Sequence, residues 1–223
     1  MTTDIHIDRV VRSWRRSISI HILDGGVVEV RAPQLTPTSV INQFVKEKSQ
    51  WISGVLARQK EHPMPKKKTY HEGEVFLLAG DEYTLHLTDG SAITLLGKQI
   101  FFPQRFVSVG SKKMKEWYVE QARKITTDRL RFFGRLGKFD YSGPTITDAK
   151  TRWGSCSGTN GISFSWKLVM APMKIIDYVV IHELCHTVHH DHSVRFWSLI
   201  GKFYPEYSAS RTWLRRNGHG FSI

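Results

Sequence analysis

The sequence predicts an α+β fold: a domain built from a small sheet and a helix that carries the chemistry, preceded by β-rich N-terminal modules. Three features predict it. Short runs of alternating apolar residues, separated by Gly, Asp and Asn turns, dominate the region before residue 110. Helical apolar spacing recurs in five longer segments, and one of these, behind Pro172, directly follows the last strand pattern. Composition changes around Glu61–Lys68 and again near residue 110, which predicts modules at 1–68, 69–110 and 111–223.

In order, Ser17 to Val30 reads as a β-hairpin. Ile18, Ile20 and Ile22 alternate with polar residues, and Asp24-Gly25-Gly26 turns the chain into Val28-Glu29-Val30. Arg12, Trp14, Arg15 and Arg16 ahead of it form a basic aromatic cluster, read as a solvated strand entrance. A helix is expected from about Thr38 to Gln59, with Val40, Ile41, Phe44, Val45, Trp51, Ile52, Val55 and Leu56 on its apolar side. The prolines and lysines of Glu61 to Lys68 read as a linker.

Strand signals at Val75–Leu78, Tyr83–Leu87, Ile93–Leu96 and Ile100–Phe102 predict a small antiparallel β unit. Ser111 begins a helix to about Phe133, with Gly134 near its end. Thr145–Thr147, Arg152–Cys156 and Ile162–Met170 read as strands, the last two joined by a turn over Ser157–Gly161. After the helix behind Pro172, two more helices are expected at Ser193–Tyr204 and Glu206–Asn217, broken at Pro205.

The hydrophobic fraction of 40% is ordinary for a globular chain, which argues against disorder. No stretch is apolar and long enough to span a bilayer, and the first residues offer no signal-peptide core, so a cytoplasmic protein with no membrane partner is expected. Cys156 and Cys185 are too few for a disulfide framework and form no C-x-x-C pair. The net charge of +12 predicts a surface that attracts anions, with nucleic acid and nucleotides as candidate partners, although no recognised nucleic-acid motif is present.

His182-Glu183-Leu184-Cys185-His186 is the stretch that speaks of chemistry. On a helix, residues four apart share a face, so two imidazoles reach one ion while Glu183 reaches water beside it, the H-E-x-x-H zinc-hydrolase pattern. Cys185 is turned about a hundred degrees from His186 and reads as buried packing. A catalytic zinc needs about three protein ligands and an open position. His189, His190 and His192 are available as the third. His189 lies on the same stripe as His182 but roughly 10 Å along the axis, too far to share a tetrahedral ion. His192 qualifies if the helix stops near His189 or His190, the chain turns at His190-Asp191 and Ser193 caps the next helix. The spacing matches metzincins up to the third ligand, but His189 stands where they carry Gly and no methionine follows Met173, so their Met-turn is missing.

Tyr178 to His186 followed by His192-Ser193-Val194-Arg195-Phe196-Trp197, together with Arg152 to Ser157 and Trp166 to Pro172, resembles the YgjP-like metallopeptidase family, a relative of the SprT and WLM zinc-protease groups. The resemblance extends more loosely over most of the chain. It implies a zincin-like catalytic domain at 111–223, zinc held by His182, His186 and His192, and Glu183 as catalytic acid/base acting on a polypeptide substrate.

For such chemistry an oxyanion donor is needed, and Arg152, Asn160, Tyr178 and His190 are candidates between which the sequence does not choose. In zinc-peptidase folds similar to this one, an edge strand beside the metal helix pairs with extended substrate; Ser163 to Leu168, with Ser163, Phe164 and Ser165 as its first residues, is the expected strand. Two other readings compete. One keeps the metal and hydrolyses a nucleotide phosphoanhydride, without a glycine-rich phosphate loop to support it. The other is a basic nucleic-acid-associated protein with structural zinc, which requires a fourth protein ligand.

Overall fold

The computed structural model describes residues 5–61, 67–221 and 223. The chain forms two compact units, Met1–Lys66 and Lys67–Ile223. In the first, strands β1 (Arg9–Ser13), β2 (Ser19–Ile22) and β3 (Val28–Pro33) form a sheet with β3 at its centre, antiparallel to β2 and parallel to β1. The expected hairpin is therefore β2–β3. Its third strand, β1, overlaps the basic cluster, and the Arg12 guanidinium donates to the carbonyls of Gln34 and Thr36, a bracing role, while Trp14 is fully in solvent.

The helix expected over 38–59 is two: α1 (Thr38–Glu47) and α2 (Ser49–Glu61). They meet at Lys48, whose backbone (φ −97°, ψ 5°) leaves helical geometry while its N–H still reaches the carbonyls of Phe44 and Val45. Packing supplies the reason. Ile41, Val45 and Ile52 all reach one small core with Val28, Val30 and Ala32, and a bend keeps both helices on that core. The expected linker falls largely on residues 62–66, outside the described residues.

The second unit opens with β4 (Val75–Leu78), β5 (Asp81–Thr88), β6 (Thr94–Leu96) and β7 (Gln99–Pro103) in the order β4-β5-β7-β6. This sheet is mixed rather than antiparallel, because β7 inserts beside β5 and pairs with it in parallel, leaving β6 at the edge. A 28-residue helix, α3 (Gly110–Gly137), follows and shares one hydrophobic core with the sheet and with everything C-terminal to it. It runs past the expected stop at Gly134, whose glycine answers to packing and not to a helix end: the Tyr141 ring fills the space a side chain would need, 2.5 Å from a Cβ built there. The Tyr118 hydroxyl donates to the Leu77 carbonyl at 2.6 Å, tying α3 to β4.

Strands β8 (Ser142–Thr147), β9 (Gly154–Cys156) and β10 (Gly161–Ser165) form a second sheet with β10 in the middle, parallel to β8 and antiparallel to β9. The strand expected to run to Met170 stops at Ser165. Trp166, Leu168, Val169 and Met170 are all buried, which a two-faced strand would not allow, and Trp166–Met170 winds instead into a 3-10 turn. That turn feeds α4 (Met173–His186), followed by α5 (Val194–Phe203) and α6 (Tyr207–Asn217). Among the described residues no helix is long and apolar enough to cross a membrane.

Helix α4 is apolar around nearly its whole circumference and is accordingly buried, with α3, β9, α5 and α6 packed on it. Its one acidic side chain before Glu183, Asp177, is held bidentately by Arg129 of α3, Nε–Oδ1 2.5 Å and Nη2–Oδ2 2.8 Å. Gly80 (φ 84°) lets the β4–β5 turn close over the start of α4, since a Cβ there would lie 2.5 Å from the Pro172 Cα. Replacing Asp177 with Ala leaves the Arg129 guanidinium largely buried without its partner. We expect a loss of about 2 kcal/mol of unfolding free energy, read as a lowered urea midpoint with unchanged m-value; an unchanged midpoint would remove the pair from the account of how α4 is held.

Candidate metal centre

Pro172 sits at the N-cap of α4, and its carbonyl accepts the N–H groups of Ile175 and Ile176. The helix ends at His186, one turn beyond His182, and so earlier than the turn expected at His189 or His190. Its last carbonyls are closed locally: the Thr187 hydroxyl donates to Leu184 at 2.7 Å, and the Val188 and His189 N–H groups donate to Cys185. The chain then reverses. The carboxylate of Asp191 accepts the Ser193 N–H at 3.3 Å, and α5 starts at Val194. Ser193 occupies the expected N-cap position, but its hydroxyl makes no capping bond.

This reversal returns His192 to the end of α4. Ligand atoms of His182, His186 and His192 lie within 4.8 Å of one another, and the His182 Nε2 is 3.2 Å from both the His186 Nε2 and the His192 Nε2. As a hydrogen-bond cluster this is poor, because one imidazole nitrogen has a single proton or lone pair to share with two neighbours. As a ligand set it fits: nitrogens about 2.0–2.1 Å from a tetrahedral zinc stand roughly 3.3 Å apart.

Protonation agrees with ligation. Burial, reinforced by the charges of His186, His192 and Arg211, pushes the His182 pKa down to about 3, and burial also lowers that of His186, so both rings present neutral lone pairs. The His186 Nδ1 lies 2.9 Å from the His189 carbonyl, an acceptor that assigns the proton to Nδ1 and frees Nε2. His189 thus serves through its backbone. The buried His182 Nδ1 has no hydrogen-bond partner among the described residues.

Glu183 is 5% exposed. Burial raises its pKa to about 8, with the Arg152 guanidinium acting in the opposite direction. Its carboxyl lies directly on the backbone of Gly154 in β9, where an added Cβ would stand 2.6 Å from Oε1 and 2.7 Å from Cγ. Gly154 is thus required by contact with the carboxylate, not by a turn. The imidazole rings are braced from α5: Phe196 stacks on His186 at 4.3 Å between centroids and Trp197 on His192 at 5.6 Å.

The other expected site residues divide. Tyr178, buried, sets its ring edge-on to His182 at 5.8 Å and packs on Tyr204. It also lines, with Arg152, a cleft of about 580 Å³. Asn160 stands at the far end of the β9–β10 hairpin, with a left-handed φ of 58° and its N–H bonded to Ser157, so its place is in the turn. His190 is exposed in the reversal. The expectation that Ser163, Phe164 and Ser165 form an edge strand is corrected: β10 is paired on both sides, and the edge facing α4 belongs to β9. Phe164 is core, the Ser163 hydroxyl bonds to Ser155, and that of Ser165 donates to Ala149. Cys185 is packing, as expected, with burial raising its thiol pKa to about 12.

Three converging imidazoles, with the buried carboxylate of Glu183 next in sequence to the first, are the side chains of a metal-dependent hydrolase. The sequence model of the YgjP-like metallopeptidase domain matches residues 16–217, nearly the whole chain, and the protein belongs to that family. Compared with curated proteins and with solved structures, the chain matches none of them.

Two outcomes follow from the geometry. His192→Ala is expected to lower bound metal from about one equivalent to well below half in elemental analysis after dialysis, because two imidazoles on one helix face leave the ion half-enclosed. Gly154→Ala should keep the metal but reduce hydrolysis about a hundredfold or more, since the Glu183 carboxyl must move to admit the methyl; undiminished turnover would show that the contact does not position it.

Proposed function

We propose that this chain is a zinc-dependent metallopeptidase with a zincin-like catalytic domain, His182, His186 and His192 holding the ion and Glu183 serving as general acid/base. The observation that carries the reading is the convergence of the three Nε2 atoms, with Glu183 next in sequence to His182 and buried. When bound, zinc supplies a Lewis acid that polarises a carbonyl and brings the pKa of water to about 7. Glu183 takes a proton from water on a carboxylate oxygen and returns it to the departing amine. No described residue hydrogen-bonds to that carboxylate, so its oxygens are available for the transfer, and the apolar wall around it excludes bulk water.

Arg152 is the strongest of the expected oxyanion donors, because its charge already acts on Glu183 and its side chain borders the cleft that opens at Tyr178. Extended substrate would pair with the free edge of β9, whose Gly154 leaves backbone accessible beside Glu183. An all-imidazole donor set accords with zinc, as it does with other borderline divalent ions. A cytoplasmic location belongs to the same reading, supported by the unpaired thiols of Cys156 and Cys185.

A second reading, hydrolysis of a nucleoside triphosphate phosphoanhydride, draws support from the cations that line the cleft. A structural zinc in a nucleic-acid-associated protein is less well supported, since the described residues bring three ligands together and not four.

Glu183→Gln separates these possibilities from inactivity for other reasons. The variant is expected to bind zinc like the wild type and to cleave an unstructured polypeptide about 10²–10⁴-fold more slowly. Cleavage of nucleoside triphosphates, but no polypeptide, with the same dependence on Glu183 would transfer the chemistry to the second reading.

A further inference from the structure

The cleft beside the metal centre is lined by Lys150, Arg152, Lys167, Arg211 and Arg215, with no carboxylate on its walls. Among the described residues none of the five forms an ion pair within 4.0 Å. Two are anchored on aromatic faces, Arg211 over Trp197 at 5.1 Å and Lys167 over Trp166 at 5.6 Å, which fixes position without neutralising charge. The nearest carboxylate in sequence, Asp148, is already engaged by Lys115 at 2.7 Å and by the Trp166 indole at 2.6 Å. Five like charges around one cavity repel one another, and an anion entering it relieves that repulsion.

Two of the residues that line the cleft reach the side chains of the reaction centre. Tyr178 lines it and touches His182; Arg152 lines it and acts on Glu183. Strand β9, the free edge next to α4, begins immediately after Arg152 and Trp153. A chain paired along β9 with its reacting amide opposite Gly154 must therefore pass, on one side of that amide, over Arg152 and Trp153. The Trp153 ring is held firmly there, its edge 2.5 Å from the position of a Cβ on Gly218 and in a T-shaped contact with Phe221. The walls offer aromatic surface for a side-chain stem and cations for its end.

Resting on the peptidase reading, we infer that this cleft is a specificity subsite for acidic peptide segments, taking Asp or Glu side chains, or a terminal carboxylate, on the one side of the scissile bond that lies toward Arg152. Peptides thread past a single β-edge, so the preference is one-sided, and it weakens with salt because most of the cations are exposed. Recognition by charge along a paired backbone admits many sequences of the same acidic character.

The test uses the full zinc-loaded chain carrying Glu183→Gln, so that binding is read without turnover, and fluorescent peptides of one sequence with Glu, Gln or Lys pairs on either side of a central amide. At low salt the peptide with glutamates on one side is expected to bind about tenfold more tightly than its Gln counterpart, and glutamates on the other side to bring no gain. Lys150→Glu with Arg215→Glu should exchange the preference toward lysine; Lys150→Gln with Arg215→Gln, milder changes at two exposed positions, should flatten it. Equal binding of all peptides, or a preference unmoved by both double variants, overturns the inference. So does a nucleoside triphosphate that occupies the cleft more tightly than any acidic peptide and displaces it. Failure of the wild type to cleave any peptide overturns the peptidase reading instead, and is read separately from these affinities.

Discussion

Helix α4 stops at His186, and the centre depends on that stop. One more helical turn would carry His189 and His190 up the axis and leave His192 with no route back to His182. The stop is made locally, by the Thr187 hydroxyl on Leu184 and two backbone N–H groups on the Cys185 carbonyl. The same reversal places the His189 carbonyl against the His186 Nδ1, so the turn that supplies the third imidazole also sets the tautomer of the second.

Rigidity around this turn comes from burial. Helix α4 is covered by α3, β9, α5 and α6, and its charges are confined to Lys174, exposed in the first turn, to Asp177, paired with Arg129, and to the end where the histidines and Glu183 lie. A carboxylate in such surroundings is costly unless an opposite charge stands near it. Arg152 supplies part of that charge, and a dication between the three imidazoles would supply more, lowering the tendency of Glu183 to hold a proton. The basic cleft extends the same electrostatic logic outward, from a residue that acts on Glu183 to cations that meet solvent.

How much of this was legible in sequence depended on whether the signal was local. His182, Glu183 and His186 stand out by helical spacing, while His192 is a conditional candidate through a turn at His190-Asp191 and is selected by the family resemblance. The two hairpin strands β2 and β3 are equally plain in their alternation. What sequence missed depended on contacts distant along the chain. Nothing local in Gly154 reports that it lies under Glu183, and nothing in Phe196 or Trp197 reports that they stack on imidazole rings rather than merely filling core. The apolar run after Ile162 has the composition of a strand throughout, but burial on all sides from Trp166 onward selects a 3-10 turn. Pairing order is similarly hidden: β10 became central and β9 the edge because β8 adds in parallel from outside, which no alternation pattern encodes.

The central claim is an open site in which three imidazoles hold the ion and a position remains for solvent. X-ray absorption at the zinc edge of the loaded protein tests it most directly. The account predicts about three nitrogen scatterers and one exchangeable oxygen, all at about 2.0–2.1 Å. Sulfur at about 2.3 Å, from Cys156 or Cys185, or a fourth imidazole closing the shell, would contradict it and make the zinc a structural element.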